Sequence, residues 1–344
     1  MKITLKEISE KTGLSISVLS RVASGSGYVS EDKRVRAEQA LEAYNYKRSL
    51  PHTSTSPLMD DVILVISGAS DGTYQWLIRQ LTITAHKHNK RVLIAHTAYN
   101  SVLEEEYLRF AQRLGVYGIV MLSIPEKQST VHLIRDCKIP FVLAGRYLSS
   151  LPTDTVTQDS YEMGTIAAKE FLAAGHTRIG YLGGHFESSI TRDKQLGFSD
   201  MLREAGVELP PKWISYGALD YQSGADYGQE LLTIQDAPTA LFVSNDLMAI
   251  GLMEVLLSAG LKIPQDLSII CCDKTPASDT YPIKLTRMTV RDAENYASTI
   301  MRLLNARAKD SSRPRRMVMF EPEFLPGTTV GTPRERAALL PSVD

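Results

Sequence analysis

The chain is 344 residues long, 43% hydrophobic and 22% charged, which fits two or three globular domains and excludes large-scale disorder. A formal charge of −1 excludes a chain that is basic throughout, and three cysteines (Cys137, Cys271 and Cys272) exclude a disulfide framework. No apolar run approaches the roughly 20 residues that span a bilayer, and the opening MKITLKEI has no apolar h-region, so a cytoplasmic protein without a membrane partner is expected.

In chain order, the first element is a short helix. Thr4 and Glu7 fit a capping box that starts it at Leu5, and Leu5, Ile8 and Thr12 recur at helical spacing and face inward. Gly13 supplies a tight turn. Ser15 caps a second helix over residues 16–23, with Val18, Leu19 and Val22 as its buried stripe. After the Gly25-Ser26-Gly27 break, a third helix runs from the Ser30 cap to Tyr44, with Ala37, Leu41 and Tyr44 inward. Two helices joined by a tight turn and backed by a third form a helix-turn-helix headpiece, a unit that sets its second helix in the DNA major groove.

That second helix leaves Ile16, Ser17, Ser20 and Arg21 on its outer face. Ile16, Ser17 and Arg21 are candidates for base edges. Arg pairs bidentately with guanine, Ser donates or accepts, and Ile packs on a thymine methyl. Ser15, Ser20, Tyr28, Ser30 and Arg34 are candidates for phosphates, which set register. Residues 1–56 carry nine Lys/Arg against six Asp/Glu, a local +3; a basic head on an acidic body suits a phosphate partner at one end. The other reading of this segment is a three-helix bundle without a nucleic-acid role.

Residues 50–61 (LPHTSTSPLMDD) read as a connector. Beyond them, short apolar runs at 62–66, 91–95, 118–122, 141–144, 178–182, 213–216, 240–244, 267–272, 285–290 and 316–320 read as strands. Amphipathic stretches at 74–88, 104–114, 164–174, 193–205, 222–234, 246–259 and 293–306 read as helices. The alternation implies an α/β body of parallel sheets with covered faces. So many units imply two lobes with a cleft between them. Ligands of such sheets sit beyond the strand carboxyl ends, which marks residues 67–71, Gly145-Arg146, 183–185, 244–246 and Asp273-Lys274.

Enzyme signatures are lacking: there is no GxxxxGK[ST] loop and no GxSxG elbow. The seven histidines show no metal-ligand spacing, and Cys271-Cys272 has no neighbouring zinc ligands in sequence. No catalysis, cofactor or metal is expected.

Head, connector and body together resemble the lactose-repressor/galactose-repressor (LacI/GalR) family of bacterial transcription regulators. The segments that carry the resemblance are SVLSRV (17–22) with GYVS (27–30), AGHTRIGYLGG (174–184), LGF (196–198), VSNDLMAIG (243–251) and IPQDLSI (263–269) with Asp273. The resemblance implies a three-helix headpiece (1–48), a hinge (49–61) and a periplasmic-binding-protein-like core of doubly wound parallel sheets. Its first lobe would hold 62–160 with 291–320, its second 161–290 with 321–331, leaving a tail at 332–344. Crossings between lobes fall near 159–162, 290–292 and 320–323. It also implies a homodimer, with residues 74–81 and 103–114 on the dimer face, a pseudo-palindromic duplex DNA operator, and a small-molecule effector, a sugar or sugar derivative, in the cleft. A binding protein without a DNA role is the alternative, against which the head argues.

Carried over position by position, the effector site takes in Ser67, Asn245 and Asp273, although Asn245 also suits a helix cap. The chain departs from the family pattern at four places. Lys194 stands where the family has Arg, Gly145 followed by Arg146 where it has a carboxylate, Leu219 where it has a stacking aromatic, and Val290 where it is often polar. Loss of a carboxylate beside Arg146, Arg192 and Lys194 favours an anionic effector. The hinge departs too: the family's minor-groove Leu falls on Thr55, and neither Leu50 nor Leu58 has its offset, so a weak DNA kink is expected.

Overall fold

The computed structural model describes residues 4–24, 29–44, 46, 59–68, 72–122 and 127–334. Tyr28, the hinge positions Leu50, Thr55 and Leu58, and the tail from 335 lie outside the described residues. The chain divides into two compact units, residues 1–56 and 57–344.

In the first unit, α1 (Leu5–Thr12) opens on a reciprocal capping box. The Glu7 N–H donates to Thr4 Oγ1 at 3.3 Å, and the Thr4 N–H donates to Glu7 Oε2 at 2.7 Å, satisfying two orphan donors at once. Gly13 ends the helix at φ 69°, a conformation cheap only for glycine. Ser9 Oγ donates across the turn to the Leu14 carbonyl at 2.6 Å. α2 (Ile16–Ser24) follows, its first turn capped by Ser15 Oγ, which accepts from the Val18 N–H. α3 (Glu31–Ala43) closes a core of Ile8, Leu14, Leu19, Ala37 and Ala40, with Leu5, Val18, Val22, Leu41 and Tyr44 packed around it.

The second unit has twelve strands among the described residues: β1 (Met59–Ser67), β2 (Arg91–His96), β3 (Val116–Met121), β4 (Phe141–Ala144), β5 (Asp154–Gln158), β6 (Ile179–Gly183), β7 (Ile214–Tyr216), β8 (Ala240–Val243), β9 (Ser268–Cys272), β10 (Thr286–Val290), β11 (Met317–Phe320) and β12 (Pro322–Leu325). They form two six-stranded sheets, ordered β11-β5-β4-β3-β1-β2 and β12-β10-β9-β8-β6-β7. The first sheet is parallel throughout. The second is parallel except where β10 meets β12. Helices α4 (Gly72–Lys87), α5 (Ser101–Leu114), α6 (Gln128–Arg135) and α12 (Glu294–Lys309) cover the first sheet. Helices α7 (Ser160–Ala173), α8 (Ser189–Glu204), α9 (Tyr221–Thr233), α10 (Asp246–Ser258) and α11 (Pro276–Thr280) belong to the second lobe.

Covered faces explain why the strands read as unbroken apolar runs rather than alternating ones. In β1, Ile63 and Val65 pack with α4 and α12, while Leu64 and Ile66 pack on the other face with α5 and α6. β1 starts at Met59, inside the stretch that read as connector, because Met59 pairs with Val116. α8 begins at Ser189, four residues before the amphipathic run that marked it.

The chain passes between lobes three times: from β5 into α7, from β10 towards α12, and from β11 into β12. The crossings are tied to one another. The Asp159 N–H donates to the Phe320 carbonyl at 2.9 Å, and the Arg291 N–H donates to the Glu321 carbonyl at 2.8 Å.

Candidate functional site

Two surfaces gather the chemistry. On α2, Ile16 is 47% exposed, and Ser17, Ser20 and Arg21 stand exposed with it, while Leu19 beneath is fully buried. The Ser15 and Ser17 hydroxyls lie 3.0 Å apart at the helix start. Ser30 is exposed just before α3. Arg34 reaches along α3 to Glu38 at 3.1 Å; an exposed pair of this kind is worth little. The α2 face therefore offers an apolar contact, hydroxyls and a guanidinium, the side-chain types that read base edges.

In the core, a cavity of about 320 Å³ opens between the lobes at the strand carboxyl ends, the place expected of doubly wound sheets. The first lobe lines it with Tyr74 and Trp76 of α4, Tyr99 after β2, and Tyr296 of α12. The second lobe contributes Lys194 of α8, Leu219 and Asp220 before α9, Asn245 before α10, and Asp273 after β9.

Three of the polar groups here are held by hydrogen bonds. Lys194 is 4% exposed and donates to the Ser244 carbonyl at 3.0 Å. Burial works against its ammonium, but the neighbouring Cys272 and Asp273 more than offset this, so its pKa lies above the ordinary value. Burial pushes the Cys272 thiol up to about 11. Asn245 Oδ1 accepts from the Met248 N–H at 3.0 Å and its amide donates to the Leu219 carbonyl at 2.7 Å; Asn245 is both cap and cavity wall. Asp220 Oδ1 accepts from the Ser223 N–H at 2.8 Å, and its hydrogen bonds to Ser223 hold the carboxyl below its ordinary range. Tyr99, Leu219 and Asp273 adopt φ of 58°, 66° and 74°, a region non-glycine residues rarely occupy and one that concentrates at ligand sites.

Two expected site residues stand elsewhere. Ser67 is fully buried at the end of β1, where its carbonyl accepts from the Thr97 N–H at 2.8 Å, and Gly68 takes its place on the cavity wall. Arg146 is 6% exposed and does not line the cavity; Gly145 does. The reason is local: Gly145 has φ 78° and lies against the Tyr74 ring, and its N–H donates to Tyr296 Oη at 2.9 Å, which carries the next side chain off the wall. Lys194, Leu219, Asn245 and Asp273 do meet around the cavity, and Val290 joins them. Tyr74, Trp76, Tyr99, Tyr296 and Asp220 were not singled out from sequence. Tyr99 and Asp220 had a usable signal, since each follows the carboxyl end of a recognised strand.

Beside the cavity the lobes touch directly. Tyr147 Oη lies 3.0 Å from both carboxylate oxygens of Asp193, and the Tyr147 N–H donates to Ser189 Oγ at 3.1 Å. Burial raises the Asp193 pKa. The Tyr99 and His185 rings meet at 4.4 Å, and burial, aided by Arg146, lowers the His185 pKa.

The model of a periplasmic binding protein-like domain matches residues 168–330. The HTH-type transcriptional repressor PurR of Photobacterium profundum is 25% identical over 328 residues, covering 94% of this chain and 97% of that protein. The repressor of the same name from Vibrio vulnificus is 27% identical over 337 residues, 95% of this chain and 98% of that one. Over nearly its full length the chain is similar to transcription regulators of the LacI family. Members of the LacI family are DNA-binding regulators with an effector-binding core, not enzymes. Among solved structures, the transcriptional regulator CelR-cellobiose complex superposes with a TM-score of 0.72 at 21% identity, over 95% of this chain and 100% of that one, a likeness of fold.

Proposed function

We propose that this chain is a LacI-family repressor that binds a pseudo-palindromic operator as a homodimer in the cytoplasm and is controlled by a sugar or sugar derivative held between its core lobes. Ile16, Ser17 and Arg21 meet base edges; Ser15, Ser20, Tyr28, Ser30 and Arg34 meet phosphates. Lys194, Leu219, Asn245, Asp220 and Asp273 meet the effector from one lobe and the aromatic residues from the other. The observation that carries the reading is the pairing, in one chain, of an exposed reading face on α2 with a cavity whose two walls belong to different lobes. A ligand that touches both walls biases lobe closure, and any state-dependent affinity is linked to DNA binding.

Exposed Ile83, Leu93, Ile94, Val102, Leu103 and Phe110 on α4, β2 and α5 support a dimer through the first lobe. That face keeps the expected 103–114 but not 74–81, since Tyr74, Trp76 and Leu77 line the cavity and Leu81 is buried.

The test is selection of duplexes from fragmented source genome by the full chain, followed by footprinting. A protected pseudo-palindrome whose occupancy changes with a thermally stabilising small molecule supports the reading. Binding of DNA without sequence preference would sink it.

A further inference from the structure

The described lining of the cavity is segregated by chemistry. Every phenol or indole ring on it (Tyr74, Trp76, Tyr99, Tyr296) belongs to the first lobe, and every Lys, Asp or Glu (Lys194, Asp220, Asp273) belongs to the second. The rings support one another. Gly145 lies against Tyr74 and is held by Tyr296, and Gly68 lies against the face of Tyr99, where a Cβ would strike the ring. The Tyr296 hydroxyl is spent, donating to the Val156 carbonyl at 2.7 Å and accepting from Gly145. This wall therefore presents mostly flat carbon surface.

The opposite wall is a set of acceptors. One ammonium faces two carboxylates among the described lining residues, and that ammonium already serves the Ser244 carbonyl. The Asn245 amide is likewise engaged in its cap and in holding Leu219. A phosphate or carboxylate brought here would meet Asp220 and Asp273 with one lysine to offset both, and like charges at close range are costly. Arg146, which made an anionic effector attractive from sequence, is off the wall. A free polyol would leave the four rings of the first lobe without a partner ring.

We infer that the effector is an uncharged glycoside with an aromatic aglycone, its sugar hydroxyls donating to Asp220 and Asp273 and its aglycone lying on the wall of Tyr74, Trp76, Tyr99 and Tyr296. This rests on the effector-cavity reading above and narrows its ligand class. Carboxylates accept two hydroxyl hydrogen bonds each with ease, and aromatic rings favour offset or edge contacts with a second ring. A cavity of about 320 Å³ lies at the lower end of ligand pockets, roughly 300–1,000 Å³, so the ligand is a monosaccharide with one ring appended rather than an oligosaccharide.

The experiment is isothermal titration of the full chain with phenyl glycosides of glucose, galactose, mannose and N-acetylglucosamine, both anomers. Each is set beside the matched methyl glycoside and sugar 6-phosphate. For at least one sugar, the phenyl glycoside is expected to bind about tenfold or more tighter than the methyl glycoside, and the 6-phosphate more weakly than either. Trp76→Ala should bring the phenyl-to-methyl ratio towards one, whereas Asp273→Asn should weaken both ligands and leave the ratio. Because the ratio is measured within one protein, loss of folded material does not mimic the result. Equal affinity for phenyl and methyl partners across the panel, or preference for a 6-phosphate, would overturn the inference, as would failure of every glycoside to bind. In each of those cases the regulator reading survives if another compound class releases or tightens DNA. Tight phenyl-glycoside binding that leaves DNA affinity unchanged would uphold the ligand class and contradict the regulatory coupling.

Discussion

Arg21 and Lys194 are both cations, and their surroundings give them opposite tasks. Arg21 stands exposed on a helix whose buried side is complete without it. Arg21→Ala is expected to leave the thermal melt unchanged and to cost about 1–3 kcal/mol of specific DNA affinity, read by fluorescence anisotropy against a scrambled duplex. Lys194 is buried and bonded. Lys194→Met would strand the Ser244 carbonyl and remove the charge beside Asp273, so a loss of stability of roughly 1–3 kcal/mol is expected in urea denaturation. His176, inside the AGHTRIGYLGG segment, has a third kind of role. Its Nδ1 lies 2.9 Å from Thr239 Oγ1 and its Nε2 2.8 Å from the Gly331 carbonyl, tying the helix-strand turn to the end of the core. Burial lowers its pKa below 6.5, so the unfolded chain binds the proton more readily than the folded one. Its contribution is complete above the unfolded value and is lost as pH falls through the folded pKa. The urea midpoint is expected to fall between about pH 7.5 and about pH 5.5, with a smaller fall in His176→Gln.

At the scale of elements, what the sequence disclosed followed how local the cause was. The capping box, the Gly13 turn and the α2 stripe depend on neighbours within four residues, and they were legible. β5 was not. Asp154, Thr155 and Thr157 make it look like a loop, yet all are buried, and Asp154 pairs with Arg307 at 2.9 Å, 153 residues away. β12 is an antiparallel edge that opens on Pro322, and α6 starts without a side-chain cap, so neither carried a local start signal. The cavity was half legible for the same reason. Leu219, Asp220, Asn245 and Asp273 of the second lobe follow strand ends, whereas Tyr74, Trp76 and Tyr296 lie on helices that reach the cleft only through the fold. The α7–α8 pair rests on another long-range device. A Cβ on Gly164 would strike the Lys194 carbonyl, and one on Gly197 the Tyr161 carbonyl. Gly164→Ala is expected to destabilise by about 1–3 kcal/mol and, by shifting Lys194, to weaken effector binding; a thermal melt with and without ligand checks both.

At the scale of the whole molecule, the proposed function makes control depend on how readily the core lobes separate. The three crossings are tied to one another, and the Tyr147–Asp193 contact joins the lobes beside the cavity. Tyr147→Phe removes a donor from a half-buried carboxylate and favours the open arrangement. Weaker effector binding is expected, together with a changed ratio of operator affinities with and without ligand, within the roughly 1–3 kcal/mol typical of such coupling.

The most direct measurement is operator affinity of the full chain and of Ser17→Ala/Arg21→Ala, each titrated with the glycoside that binds the core. The expected result is a selective operator complex for the parent chain that the ligand shifts several-fold. In the double variant, selectivity is lost while ligand affinity is kept. A double variant that still discriminates the operator from a scrambled duplex, or a parent complex indifferent to a saturating ligand, would contradict the account.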